Sequence, residues 1–216
     1  NGNVLQFTSS SSLAPSTLEL NGTDYFIVND LHIKANGTTY AFAAHLWNGA
    51  NNNTFNNCTF ECNITGTNTT IVPFSISGSA TTVSSAANSA NETLVNGCTM
   101  IGGNYGAVFY GITGSPYNLD NKIQNCTVRD FYSYGIYNVY CRNTTISGNT
   151  VERPNRTGLT TAYSIYLSTG SYNCLVEKNW VRKLFDGNVS STSSAYGIYS
   201  TSPAAAGFEN KIINNI

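Results

Sequence analysis

Residues 55–60 read FNNCTF, and this six-residue phrase returns along the chain with the same order of side chains. An apolar residue is followed by any residue, then by Asn or Gly, Cys or Asn, Thr, and a second apolar residue. The other copies are VNGCTM at 95–100, IQNCTV at 123–128 and ISGNTV at 146–151. VEKNWV at 176–181 is a looser copy, VNDLHI at 28–33 precedes them all, and IINNI at 212–216 starts a further copy. Such self-similarity is typical of a repeat architecture.

The copies begin at intervals that vary from 23 to 40 residues. A constant phrase at a variable interval predicts short strands of fixed structure, joined by loops of variable length. Residues two apart on a strand share a face, so Cys58 and Phe60 should point the same way and Thr59 the opposite way. The Asn or Gly before the Cys tolerates left-handed backbone angles, which predicts a bend at that position.

A second phrase, Tyr followed by a small and then an apolar residue, falls between the copies of the first. It reads YAF at 40–42, YGA at 105–107, YGI at 134–136, YSI at 163–165 and YGI at 196–198. Strict alternation predicts that Tyr134 faces inward with Ile136, so the leading tyrosines should stack inside or at a corner. Tyr137, Tyr166 and Tyr199 should then form an outward stripe that can stack on sugar rings. The other interpretation is that the long insertions cover this stripe.

The two phrases together predict the fold class. No segment shows a sustained 3.6-residue apolar period, so helices should be nearly absent. Several short strands per repeat predict an all-β, right-handed parallel β-helix of about seven turns, the last one incomplete. A sandwich of hairpins also has many short strands, but it gives no reason for the same side-chain order in each copy. Residues 1–216 should form a single β-helix domain or a fragment of a longer one.

The repeat resembles that of right-handed parallel β-helix proteins, the pectate-lyase-like superfamily. Residues 45–55 (HLWNGANNNTF) and 195–199 (AYGIY) more narrowly resemble large secreted β-helix proteins of Bacteroidetes-type bacteria. The resemblance implies the fold and a surface or adhesin-like role. It implies little about activity, because one fold hosts many functions.

Composition excludes several function classes. Charged residues make up 10% of the chain and the net charge is −1, so we expect no nucleic-acid partner. No apolar run is long enough for a membrane span. His32 and His45 stand alone, without ligand spacing, so neither metal nor cofactor is expected. The chain begins at Asn1 and ends at Ile216 within a copy of the phrase, from which we expect end-to-end self-association or continuation of the same chain.

One column of the repeat carries Cys58, Cys98 and Cys126 in earlier turns and Asn in later ones. An even number of cysteines, six here, can form disulfides in a secreted chain, but stacked inward thiols also serve as small core side chains. We expect mostly free thiols. The inward asparagines, including Asn149 and Asn179, should form a ladder of hydrogen bonds to the backbone.

The acidic residues are scattered, which leaves one candidate catalytic cluster. Asp130, Glu152 and Arg153 follow the repeat phrase on adjacent turns and resemble, as a group, a lyase-type site. The alternative is an ion-pair ladder on the surface, which contributes little.

We therefore expect an extracellular structural or adhesive β-helix module, such as a stalk, a filament or a carbohydrate-contacting protein of the cell surface. Its carbohydrate-binding residues would be Tyr137, Tyr166 and Tyr199. The alternative is a carbohydrate-active enzyme, a polysaccharide lyase or a glycosidase, with its site around Asp130 and Glu152. The sequence favours the non-enzymatic interpretation without deciding it.

Overall fold

The computed structural model describes residues 3–203 and 206–216, which contain β-strands and no helix. The strands are β1 (Val4–Phe7), β2 (Ser16–Asn21), β3 (Ile27–Asn29), β4 (His32–Ala35), β5 (Ala41–Trp47), β6 (Thr54–Asn56), β7 (Thr59–Glu61), β8 (Ile71–Ile76), β9 (Leu94–Asn96), β10 (Thr99–Ile101), β11 (Tyr105–Tyr110), β12 (Asn118–Leu119), β13 (Lys122–Gln124), β14 (Thr127–Arg129), β15 (Tyr134–Val139), β16 (Cys141–Arg142), β17 (Thr145–Ser147), β18 (Thr150–Glu152), β19 (Ala162–Leu167), β20 (Leu175–Glu177), β21 (Trp180–Arg182), β22 (Ala195–Ser200) and β23 (Lys211–Ile213).

Three parallel sheets of seven strands each run the length of the molecule. Sheet A has the order β1-β4-β7-β10-β14-β18-β21, sheet B the order β2-β5-β8-β11-β15-β19-β22, and sheet C the order β3-β6-β9-β13-β17-β20-β23. The chain passes from A to B to C in every turn, so each strand pairs with its equivalent one turn away. The all-β parallel β-helix of about seven turns, predicted from the repeat, is confirmed. An additional two-stranded sheet, β12 with β16, lies in the loops between sheets B and C.

The repeat phrase forms the corner between sheets C and A. Phe55 is the central residue of β6 and Phe60 that of β7, and the bend between the strands is at Asn57, whose φ is 54°. Gly97 and Gly148 occupy the same place in later turns with φ of 65° and 66°. The left-handed backbone explains why the phrase has Asn or Gly here, because few other residues adopt it readily.

The apolar residues of the phrase form the core. Those at 55, 60, 95, 100, 123, 128, 146, 151 and 176 are each 0% exposed and belong to one cluster. Val181 is half-buried and packs against that cluster. In the early turns the core is aromatic, with the rings of Phe55 and Phe60 5.7 Å apart and edge-on.

The Cys and Asn column forms a continuous hydrogen-bond ladder at this corner. The backbone N–H of Cys58 donates to Cys98 Sγ at 3.3 Å, and that of Cys98 to Cys126 Sγ at 3.4 Å. The Cys126 N–H donates to Asn149 Oδ1 at 2.9 Å, and the Asn149 N–H to Asn179 Oδ1 at 3.0 Å. Each of these side chains thus satisfies a buried backbone donor of the preceding turn, as the sequence predicts.

All six cysteines are free and buried. Hydrogen bonding to Cys126, together with burial, raises the pKa of the Cys98 thiol to about 12. Burial raises the pKa of Cys174 to about 11. The thiols of Cys98 and Cys174 are therefore protonated at neutral pH, and their low thiolate content makes them poor nucleophiles. Their role is therefore in packing and in the ladder.

A second inward ladder, which sequence reasoning missed, lies at the corner between sheets B and C. Asn53 Oδ1 accepts from the Phe26 N–H at 2.8 Å, and Asn121 Oδ1 accepts from the Thr93 N–H at 3.0 Å. In the last turn, Asn210 Oδ1 accepts from the Cys174 N–H at 2.9 Å. The sequence carries a signal for it, because a polar residue or Cys stands two positions before the first apolar residue in every copy of the phrase except the one at 28–33.

Candidate functional site

The tyrosine phrases lie on sheet B, in strands β11, β15, β19 and β22. Tyr105, Tyr134, Tyr163 and Tyr196 are register partners in that order, so they form one column across four turns. Val108, Tyr137, Tyr166 and Tyr199 form a second column three residues further along each strand.

Both columns lie on the outer face of sheet B, which corrects the prediction that Tyr134 faces inward. The ring centroids of Tyr134 and Tyr137 are 4.7 Å apart, while Ile136 belongs to the core. Alternation fails because Gly135 and Ile136 both face the core. A Cβ on Gly135 would lie 2.7 Å from Cγ1 of the core residue Val151.

Tyr40 is not part of the first column, contrary to the alignment of the phrases. Ala44 pairs with Phe74, and Phe74 pairs with Ala107. The positions two residues before these partners therefore align as well. Phe42 of β5 thus lies in the column to which Tyr105 of β11 belongs. The phrase at 40–42 is therefore two residues out of register with the tyrosine phrases of the later turns.

Seven tyrosines form a continuous aromatic surface that we call the tyrosine platform. Neighbouring ring centroids within it are 4.7 to 5.9 Å apart. The rings of Tyr105 and Tyr134 are stacked at 16°, and those of Tyr163 and Tyr196 at 6°. Six of the seven are half-buried and Tyr196 is 42% exposed. The platform consists of Tyr105, Tyr134, Tyr137, Tyr163, Tyr166, Tyr196 and Tyr199.

The loop between β8 and β9 covers the same face of sheet B in the early turns only. Val83 of that loop is buried in a cluster with Phe42, Val72 and Val108, each of which is 0% exposed. Tyr105 and Tyr137 pack against the edge of this cluster. The insertion thus covers the apolar start of the face and leaves the tyrosines of the later turns partly open.

Two phenol groups of the platform, those of Tyr105 and Tyr137, are held in the neutral form by burial. Burial raises the pKa of Tyr105 to about 12, and burial also raises the pKa of Tyr137. A neutral phenol both donates and accepts hydrogen bonds. Tyr166 Oη already lies 3.1 Å from Thr201 Oγ1. The platform therefore offers flat apolar rings with polar edges.

The charged cluster predicted as a catalytic alternative is mostly internal. Asp130 is 1% exposed, and its carboxylate accepts hydrogen bonds from the Asn155 N–H at 2.8 Å, Asn155 Nδ2 at 3.1 Å and the Arg156 N–H at 3.1 Å. The Asp130 carboxylate thereby holds the start of the loop between β18 and β19. The backbone of Asp130 is in the left-handed region, with φ of 59°.

Arg153 is the first residue of that loop and is 0% exposed. Its guanidinium donates to the carbonyl oxygens of Leu184, Tyr132 and Thr160 at 3.1, 3.2 and 3.4 Å. Burial lowers the pKa of Arg153 to about 10, so the group stays charged at neutral pH. An Arg buried among carbonyls ties three loop segments together and has no open face towards a substrate.

Glu152 is 8% exposed and pairs with Arg182, whose Nε lies 2.9 Å from Glu152 Oε2. It is joined to Asp130 through the backbone, the Asp130 N–H donating to the Glu152 carbonyl oxygen at 2.9 Å. The structure thus brings Asp130, Glu152 and Arg153 into one region and engages each of them with protein groups. A part for them in a reaction stays a prediction.

The two histidines have different surroundings. His32 lies in the outward Thr column, in register with Thr59, and its Nε2 is 2.9 Å from Glu61 Oε2. His45 is 0% exposed and packs against the Phe42 ring, with ring centroids 4.9 Å apart. The described residues contain no group of three or more His, Cys, Asp or Glu side chains placed to hold a metal ion.

Comparison of the chain with models of known protein families, with curated proteins and with solved structures finds no match. Of the resemblance described for the repeat, the structure supports the parallel β-helix fold alone. In the described part of the chain, no helix has the length and apolar character that crossing a membrane requires.

Proposed function

We propose that this protein is an extracellular structural or adhesive β-helix module that contacts polysaccharide through the tyrosine platform. The observation that carries the proposal is the array itself, in which seven tyrosine rings lie in contact on one outer face over four consecutive turns. Half-buried aromatic rings of this density are uncommon on a surface without a binding role.

The chemistry of the rings favours sugar as the ligand. The faces of pyranose rings carry C–H groups and their rims carry hydroxyls, which matches tyrosine, with an apolar ring and a polar end. Stacked strands repeat about every 4.8 Å along the axis. The platform can therefore contact several successive units of an extended chain, and many weak contacts add up to useful avidity.

The test is binding to soluble polysaccharides, measured by affinity electrophoresis. We expect Tyr137→Ala, Tyr166→Ala and Tyr199→Ala, alone and combined, to weaken retardation by at least one glycan of a broad panel. Thermal unfolding of Tyr166→Ala and Tyr199→Ala should stay close to that of the unmodified protein, because these rings lie outside the core. Tyr137→Ala should be less stable, because its ring packs against the Val108 cluster. Each stacked ring should be worth about 1 kcal/mol, so single variants should lose several-fold in affinity.

Tyr25→Ala is the matched control, because Tyr25 is 76% exposed and is not among the seven platform rings. Loss of binding in that variant, or unchanged binding in the triple variant, would contradict the proposal. The buried groups around Asp130, whose hydrogen bonds hold neighbouring loop segments, support a scaffolding role more than a lyase or glycosidase. The proposed module would also associate end to end through its terminal strands.

A further inference from the structure

Arg142 is held in place by aromatic rings at the corner between sheets B and C. Its Cζ lies 3.3 Å from the centroid of Tyr117, 5.0 Å from that of Tyr172 and 5.6 Å from that of Phe208. Its backbone is fixed in β16, where it pairs with Leu119 of β12. Contacts with three rings limit the rotamers of a long side chain, so the guanidinium is pre-organised.

This guanidinium forms neither an ion pair nor a side-chain hydrogen bond with any residue that the structure describes. The two buried arginines of the chain differ in this respect, since Arg153 and Arg156 each donate to several carbonyl groups. Arg142 also lines a cavity of about 160 Å³, together with Tyr117, Tyr140, Thr169 and Tyr172. A planar cation with five donors thus faces open space of the size of a small anionic group.

Two aromatic rings, those of Tyr140 and Tyr110, connect the cavity to the Val108 cluster, which the platform also borders. Tyr140, which lines the cavity, has its ring 5.9 Å from that of Tyr110. Tyr110 packs, like Tyr137 of the platform, against the Val108 cluster. A chain that lies on the platform can therefore extend a substituent towards Arg142.

We propose that Arg142 and its cavity form an anion-recognising subsite, which selects glycans that carry a carboxylate or a sulfate ester. This inference rests on the proposed function and specifies its ligand class. The guanidinium fork would bind the two oxygens of such a group side by side, while the platform rings contact the sugar. Stacking on the platform rings alone does not discriminate between charged and uncharged chains, so the charge preference would come from Arg142.

The experiment compares three soluble derivatives of one backbone. They are hydroxyethylcellulose, which is neutral, carboxymethylcellulose and cellulose sulfate, each measured at the same ionic strength. We expect the unmodified protein to prefer one or both anionic forms. Arg142→Gln should lower the affinity for the preferred anionic form about tenfold or more and leave binding of the neutral form unchanged. The affinity of Arg142→Lys for the anionic form should lie between those of the unmodified protein and Arg142→Gln, because lysine keeps the charge and lacks the paired donors of the guanidinium.

Arg182→Gln is the charge-matched control, because it removes one positive charge from sheet A and should not change the preference. An equal ratio of anionic to neutral affinity in the unmodified protein and in Arg142→Gln overturns the inference and leaves the proposed function standing. If no glycan is retained by any variant, the proposed function fails. The subsite is then tested by NMR of the arginine Nε–Hε signals with acetate and sulfate, where a saturable shift at Arg142 supports it and none overturns it.

Discussion

Asn149 connects three successive turns of the solenoid with one buried amide. Its Oδ1 accepts from the Cys126 N–H, and its Nδ2 donates to the Ile123 carbonyl oxygen at 3.0 Å and to Asn179 Oδ1 at 2.9 Å. The residue is 1% exposed. Each of these partners is internal, so water cannot replace the amide when it is removed.

We predict that Asn149→Leu lowers the free energy of unfolding by about 1–3 kcal/mol, because it leaves a buried N–H and carbonyl without partners. Urea denaturation followed by circular dichroism measures the change. Asn149→Cys is the matched control, since Cys occupies this column in earlier turns, and it should cost clearly less. Equal loss in both variants would show that the ladder geometry plays no part.

His45 is neutral inside the fold. Its Nε2 lies 2.8 Å from the Ser79 carbonyl oxygen, to which it donates, so Nδ1 accepts from Ser75 Oγ at 2.6 Å. Burial lowers the pKa of His45 from 6.5 to about 4, against the smaller opposing effect of hydrogen bonds to Ser79 and Ser75. Protonation is therefore easier in the unfolded chain than in the folded one.

This depressed pKa predicts a pH dependence of stability. Above pH 6.5 the contribution of His45 is fully present, and it is lost as the pH falls from 6.5 to about 4, because the unfolded state binds the additional proton. The loss should reach about 3 kcal/mol. His45→Gln should flatten the curve of unfolding free energy against pH over this interval. The control variant His32→Gln, on the outer face, should retain the slope. A slope that persists in His45→Gln would contradict the assignment of this pH dependence to His45.

At the scale of the element, the strands of sheet B depart from a strict alternation of inward and outward residues, and their backbone approaches the core closely. Gly135 precedes the core residue Ile136 and faces the same way, because a side chain there would meet Val151, Phe131 and the Ser164 carbonyl oxygen. This local break in alternation puts the tyrosine before the glycine on the outer face and so assembles the platform.

We predict that Gly135→Ala destabilises the protein by about 1–3 kcal/mol, because the added methyl overpacks the contact between sheets A and B. It should also weaken glycan binding, since relief of the clash would shift Tyr134. Gly158→Ala is the control, because nothing lies within 4 Å of a Cβ at that position. Thermal unfolding of the two variants measures the difference in stability. A Gly135→Ala variant as stable as the unmodified protein would contradict the close approach of Gly135 to the core.

The corner between sheets C and A could be predicted from the sequence, and the outer face of sheet B could not. At the corner, the bend, the ladder and the two apolar positions are separate chemical requirements that recur in each copy. On sheet B, tyrosine is the one residue type that indicates the register. A strict period of two places Tyr134 on the wrong face, because Gly135 and Ile136 both point inward. The cavity at Arg142 depends on loops of unequal length, which the repeat does not constrain.

At the scale of the whole molecule, the core is continuous and its apolar side chains become exposed in the first and last strands of this chain. In β1, Leu5 and Phe7 are 42% and 43% exposed, and in β23, Ile212 and Ile213 are 47% and 44% exposed. The equivalent central residue of an inner strand, such as Phe55, is 0% exposed. Terminal strands of a parallel solenoid also present unpaired backbone groups, which match those of the opposite end.

We therefore predict that the 216-residue chain studied by itself associates end to end in a concentration-dependent manner. Sedimentation velocity should show species larger than a monomer at rising concentration, and electron microscopy should show particles elongated along the axis. Ile212→Lys should suppress association, because it places a charge in the contact between apolar ends. Thr145→Lys, at an outward position of β17 in mid-solenoid, should leave association unchanged. A monomer at every concentration, or equal suppression by both variants, would contradict axial stacking, because only Ile212 lies at an end of the solenoid.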